Sequence, residues 1–255
     1  MNLIDTHTHL FSSQFDEDRE QIVKQCIESG IETLLLPNIN SETIDAMWSL
    51  CDLFPKNCFP MIGLHPCDVK KDYQKELDMV VQELKNRKYV AVGEIGIDLH
   101  WDKTTLDIQK NAFDQQIKWA IEFDLPIAIH IRESFEEVFE VLEQNIHPKL
   151  RGVFHCFTGT LEQAQKAISM GFMLGVGGVV TFKNSGVDKV LENIDLKHLV
   201  LETDSPYLAP TPLRGKRNDS RNLQLICDKL AQLNDLESSE VARITTKNAQ
   251  TLFNL

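Results

Sequence analysis

Eight histidines and a scatter of acids fall in a pattern that could hold metal. The segment Asp5-Thr6-His7-Thr8-His9 sets two imidazoles two positions apart. If it is extended, its period of two puts Asp5, His7 and His9 on one face. Further along stand His65 (in Gly63-Leu64-His65-Pro66), Glu94 and Asp98 (in Gly93-Glu94-Ile95-Gly96-Ile97-Asp98), His130, His155, and Glu202 with Asp204. Imidazole and carboxylate are ligands of first-row divalent ions. Each residue alone has an ordinary explanation: a hydrogen-bonded histidine, a salt-bridged acid, a capping turn. Together they do not, because packing gives no reason to gather so many ionisable groups whose burial is costly without compensation. Four histidines and two carboxylates exceed one tetrahedral shell that also keeps a water position. They suit two ions ~3.5–4 Å apart that share a bridging carboxylate and lower the pKa of a bridging water. The hydroxide so formed can attack phosphorus or a carbonyl carbon.

These residues need a frame that brings them together. Short apolar runs recur at 3–4, 33–36, 59–62, 89–92, 126–129, 152–154, 172–176 and 198–201. Between them lie stretches with apolar residues at three- and four-residue spacing, among them 16–29, 41–53, 75–87, 106–123, 135–144 and 161–169. Gly30, Pro126, Gly152 and Gly171 close helices and lead into strands. Strict alternation predicts a parallel sheet covered by helices. Eight units in about 250 residues predict an α/β fold, a (β/α)8 TIM-like barrel, as a single domain over residues 1–255. An open doubly wound sheet would need a dinucleotide fingerprint after an early strand. The one glycine cluster, Gly175-Val176-Gly177-Gly178, comes late and lacks the required spacing. In a barrel the carboxyl ends of the strands form the active-site mouth, and the candidate ligands all fall there. His147 and His198 fall at helix-to-strand connections on the opposite end, and Cys156 is expected to point away from the face of His155.

Composition narrows the class. The chain has 255 residues, 42% of them apolar and 25% charged, enough for a sizeable core and unlike a disordered tail. No run approaches the ~18 apolar residues of a membrane span. The opening MNLIDTHTHL has no basic region and meets Asp5 too early for a signal peptide, so a cytoplasmic protein without membrane association is expected. The six cysteines, at 26, 51, 58, 67, 156 and 227, form no CxxC pair and read as reduced filler. A net charge of −12 argues against coating nucleic acid through bulk charge. Two divalent ions would nevertheless leave the mouth locally positive.

In the motifs DTHTHL (5–10), GLHP (63–66), GEIGID (93–98), PIAIHIRES (126–134), HCFTG (155–159), TFK (181–183), ETDSPYLAP (202–210) and RGKRN (214–218), the chain resembles the TatD-type deoxyribonucleases, metal-dependent hydrolases of the amidohydrolase-like superfamily. The resemblance covers essentially the whole chain. It implies a TIM-like barrel that hydrolyses phosphodiester bonds of DNA, exonucleolytically, at single-stranded or 3′ ends, with no obligate protein partner. It also implies two divalent ions, zinc, manganese or magnesium. By similarity His7, His9 and Asp204 hold one ion, His130 and His155 the other, and Glu94 bridges them. Related amidohydrolases often carry a carbamylated lysine at the bridge, and Glu94 favours the nuclease-like branch. Ser220 stands where the family commonly has proline.

Roles follow on this reading. A bridging hydroxide attacks phosphorus, with Glu94 and Asp204 as the catalytic carboxylates and Asp204 taking or orienting the proton. Asp98 hydrogen-bonds a ligand histidine, and Glu202 does the same or offers an optional third-ion site. His65, Arg132, Arg214 and Arg217 contact substrate. Arg132 lies two residues past His130, and the segment 214–221 carries four cations and one acid beside the mouth. Trp101 reads either as a stacking surface for a base or as a buried loop anchor. The rival reactions are ester or amide cleavage, for example of aminoacyl-tRNA, and the remaining alternative is a non-catalytic metal-binding protein. An acidic body with one small cationic mouth predicts nucleic-acid affinity that falls with salt on a shallow slope. A log–log slope near that of about ten phosphate contacts, measured by titration at several salt concentrations, would contradict it.

Overall fold

The computed structural model describes residues 2–255. Eight strands carry it: β1 (Leu3–Asp5), β2 (Ile31–Pro37), β3 (Cys58–Ile62), β4 (Ala91–Asp98), β5 (Ile127–Arg132), β6 (Gly152–Phe154), β7 (Phe172–Val176) and β8 (Leu199–Leu201). The helices are α1 (Arg19–Glu28), α2 (Ile44–Leu53), α3 (Tyr73–Asn86), α4 (Leu106–Phe123), α5 (Phe135–Gln144), α6 (Leu161–Ser169), α7 (Val187–Leu191), α8 (Leu223–Asn234) and α9 (Ser238–Phe253). All neighbouring strands pair in parallel in the order β1 to β8. This is the (β/α)8 barrel expected from the alternation of runs and amphipathic stretches.

Alternation along each strand sorts side chains between two cores. Ile4, Leu35, Met61, Ala91, Ala128, Val153 and Val200, with Met173 beside them, fill the barrel interior. Ala249, Leu252 and Phe253 of α9 join that set and close the barrel floor. The outward set, such as Leu34, Leu36, Ile62, Val92, Ile129, Phe154 and Leu174, packs under the ring of helices. The carboxyl ends are left for polar residues.

The barrel closes at the seam between β8 and β1, past the strand ends themselves. Thr6 N and Oγ1 both donate to Leu201 O at 3.0 Å. Asp204 N donates to His7 O at 2.9 Å and His9 N to Ser205 O at 2.7 Å. Closure therefore places the His7–His9 segment directly against Asp204.

Three details depart from the sequence reading. β4 starts two residues later than the apolar run at 89–92 suggests and continues through the whole GEIGID segment, buried along its length. β1 stops at Asp5, so His7 and His9 lie in the turn beyond it. The segments before α1 and α2 begin as short 3₁₀ turns at Ser13–Phe15 and Ser41–Thr43. Among the described residues no helix is long and apolar enough to cross a membrane.

Gly96 shows how tightly β4 and β5 approach. Its φ is +144°, and a Cβ there would sit 2.1 Å from His130 O. A side chain meets both backbone strain, about 1–3 kcal/mol, and overpacking of similar size. Gly96→Ala should therefore lower the unfolding free energy by about 2–6 kcal/mol in urea titration, and an unchanged midpoint would contradict this packing.

Candidate metal centre

Glu94 is the hub of the mouth. The register between β4 and β5 shifts between Val92 and Ile95. Such an irregularity re-aims a side chain, and here Glu94 points into the mouth with only 2% of its surface exposed. Its two oxygens face different partners. Oε2 lies 3.1 Å from His7 Nε2 and 3.6 Å from His9 Nε2. Oε1 lies 2.7 Å from His130 Nδ1, 3.4 Å from His65 Nε2 and 3.7 Å from His155 Nε2. Asp204 completes the first side, with Oδ1 3.6 Å from His9 Nε2, 3.9 Å from His155 Nε2 and 4.0 Å from His7 Nε2. His7 and His155 stack with ring centroids 3.5 Å apart.

The donor set fits divalent cations. Two donors bound at 2.0–2.1 Å on one tetrahedral ion sit about 3.4 Å apart. Most of the separations above bracket that value and are too long for good hydrogen bonds. Three overlapping triads could each hold an ion: His7, His9 and Glu94; His7, His155 and Asp204; and His65, Glu94 and His130. Among the described residues, His7 Nδ1, His9 Nδ1, His155 Nδ1 and Glu202 Oε2 are buried without a hydrogen-bond partner. The protein alone thus leaves polar capacity unsatisfied here, against the usual rule for buried groups.

Charge states follow from burial and neighbours. Burial would raise the Glu94 carboxyl, but the imidazoles of His65, His7 and His155 outweigh it and hold it well below the usual range. Burial, with His155 alongside, lowers His7, and burial lowers His65. Burial pushes Asp204 up to about 6.

An outer layer orients this set. Asp98 Oδ2 lies 2.9 Å from His130 Nε2, while its Oδ1 accepts from the backbone N–H of His100 at 2.9 Å. Burial would raise Asp98, but His130 outweighs it and brings the carboxyl to about 2. Glu202 Oε1 accepts from Cys156 N at 2.6 Å and lies 2.8 Å from His155 Nδ1, out of line for a hydrogen bond. Gly175 makes room for it, since a Cβ there would fall 2.3 Å from Glu202 Oε2. Two buried glutamines on α4 clamp the supporting backbone. Gln109 bonds both N and O of Asp98, and Gln116 both N and O of Leu64, next to His65.

The sequence reading of the site needs revision at several residues. Asp5 does not share the face of His7 and His9. Once β1 ends, its carboxylate turns to the seam and accepts from Thr203 Oγ1 at 2.6 Å and Thr203 N at 3.0 Å. His65 belongs inside the donor cluster rather than at its edge. Arg217 is drawn away from the mouth: it pairs with Asp18 at 3.0 and 2.5 Å and donates to Gln14 O. Arg214 stacks on Phe182 with its Cζ 3.8 Å from the ring centroid. Neither arginine is among the residues lining the cleft, whereas Arg132 is. Cys156 is among the residues that line the cleft, and Trp101 is 73% exposed, which rules out a buried anchor. His100 turns to Glu133 at 2.7 Å. The clamps Gln109 and Gln116 went unread, although two amides seven positions apart on one amphipathic helix face were a visible signal. Tyr207, which lines the cleft three residues past Asp204, was also missed.

A parallel eight-stranded barrel with a buried imidazole–carboxylate cluster at its carboxyl end is the framework of a metal-dependent hydrolase. The family model described as TatD related DNase matches residues 4–254, and the chain belongs to that family. It is 37% identical over 254 residues to the uncharacterized metal-dependent hydrolase YabD of Bacillus subtilis, covering 99% of each chain. It is 30% identical to the 3'-5' ssDNA/RNA exonuclease TatD of Escherichia fergusonii, again over 99% of each. The crystal structure of the TatD homologue YjjV from Escherichia coli K12 superposes with a TM-score of 0.93 at 30% identity, covering 99% of this chain and 98% of that one.

His155 offers a direct check of the electrostatics. Burial would lower its pKa, but Glu202, then Glu94, outweigh that and push it up to about 10. In metal-free protein the imidazolium then adds stability that is complete below the unfolded value of about 6.5 and is lost as pH rises through about 10. An NMR titration of metal-free protein should show the His155 imidazole still protonated at pH 8, and Glu202→Gln should bring its titration down. An unshifted histidine set would contradict the arrangement.

Proposed function

We propose that the protein is a nuclease that hydrolyses phosphodiester bonds at unpaired ends of nucleic acid, with DNA as substrate. The observation that carries this reading is the split of Glu94, one oxygen toward His7 and His9 and the other toward His65, His130 and His155. A carboxylate so placed can be shared between two cations. On this reading His7, His9 and Asp204 hold one ion, and His130 and His155, joined by His65, hold the other. Bound divalent ions would stabilise charge on the phosphoryl oxygens and ease deprotonation of the attacking water.

The chain's own groups do the remainder. Asp204 Oδ1 takes or orients the proton of the attacking water, suited to that task by a carboxyl that burial moves toward neutrality. Asp98 fixes the ring of His130 through Nε2, and Glu202 stands behind His155. Arg132, exposed on the lip of a cleft of about 650 Å³, offers a planar fork to phosphate oxygens. Similarity to the 3'-5' ssDNA/RNA exonuclease TatD of Escherichia fergusonii supports an unpaired nucleic-acid substrate. Cleavage of a small neutral ester or amide would use the same ions but gives Arg132 no task.

The test incubates metal-loaded protein with end-labelled single-stranded DNA and, separately, with a mischarged aminoacyl-tRNA. Nucleotide release that chelator abolishes and manganese or zinc restores is expected. Asp204→Asn should cut it about 10²–10⁴-fold while bound metal, read by elemental analysis, is partly retained. Deacylation without nucleotide release would replace the nuclease reading.

A further inference from the structure

Two aromatic side chains stand on opposite lips of the cleft, and the metal donors lie between them. Trp101 follows β4 and Tyr207 follows β8, four strands apart in an eight-stranded barrel and therefore across the mouth from each other. Trp101 is 73% exposed and Tyr207 51% exposed, and both line the cleft. Large apolar groups are costly to leave in water. Among the described residues eight are notably exposed, and three of those, Trp101, Tyr207 and Leu208, border this one cleft. Such clustering marks a binding surface better than scattered exposure does.

Both residues are tied through their backbone to the donors or their neighbours. The backbone N–H of Trp101 donates to Asp98 Oδ1 at 3.4 Å, and the other oxygen of that carboxylate holds His130. Arg132 lies over the indole, its Cζ 5.4 Å from the ring centroid. On the far lip, Tyr207 N donates to Asp204 O at 2.8 Å, Asn218 Nδ2 donates to Tyr207 O at 2.7 Å, and the phenol ring lies 6.3 Å from that of His9.

We propose that Trp101 and Tyr207 are paired stacking faces for the nucleobases on the two sides of the scissile phosphodiester. The inference rests on the nuclease reading above. Every base has a π-face, so stacking is tolerant of sequence. In a duplex those faces are covered by neighbouring bases, so only unpaired residues can occupy both lips. Arg132 stays positioned by the indole to meet the phosphate between them.

The test uses metal-loaded protein and a fluorescein-labelled oligothymidylate with cleavage-resistant phosphorothioate terminal linkages, followed by anisotropy. Trp101→Ala and Tyr207→Ala should each weaken binding about 5- to 150-fold, whereas Trp101→Phe should keep most of the affinity. On cleavable single strands the alanine variants should raise KM more than they lower kcat. An oligonucleotide with abasic terminal residues should bind wild type as weakly as the intact one binds the variants, and the cost of Trp101→Ala should vanish with it. Variants that bind like wild type, or losses that persist against the abasic ligand, would overturn the stacking inference and leave the nuclease standing. Wild-type protein that neither binds nor cleaves the strands would overturn both.

Discussion

A single ionised carboxylate buried among imidazoles governs the geometry of this molecule. Glu94 could not remain charged in the barrel mouth without His7, His65, His130 and His155 around it. An unpaired buried charge costs several kcal/mol. The reverse also holds, since His130 owes its raised pKa to Asp98 and Glu94 after burial has worked the other way. The groups are therefore held by each other, and strand ends that would otherwise be free to vary are fixed in mutual position. Asp98 and Glu202 extend the same compensation outward, and Gln109 and Gln116 pass it to the backbone.

The fold was legible because a parallel barrel repeats one simple signal. Apolar runs that alternate with amphipathic stretches reproduced α4, α5 and α6 with their bounds and put all eight strands in order. The donor residues were legible for a related reason: strand ends are where the fold allows polar side chains. Spacing failed where extended geometry stopped. Asp5 was grouped with His7 and His9 on a period of two that holds only inside a strand, and β1 ends at Asp5 itself. The cations of 214–221 misled because sequence proximity to the mouth says nothing of an acid brought from elsewhere. Asp18 meets Arg217 from a segment about 200 positions away, and Asp219 takes Arg221 locally.

That neutralisation changes how the mouth can attract a ligand. With Arg217 and Arg221 engaged by carboxylates and Arg214 laid over Phe182, Arg132 is the arginine that the lining of the cleft presents. Recognition then depends on a few directed contacts inside an acidic body rather than on a broad field. On the proposed function, shape, the aromatic lips and bound cations would carry more of it than surface charge does.

The seam has a bearing on how the molecule comes into being. Asp5 reaches Thr203 across 198 positions, and Thr8 reaches Ser220 across 212. Pairing partners so remote is slow, because a long loop must be ordered before any contact rewards it. A ribosome that has released only the first seven strands has therefore made His7, His9 and Glu94 but not Asp204, which follows β8. The imidazole–carboxylate cluster is therefore incomplete until the last strand and the residues just past it have emerged.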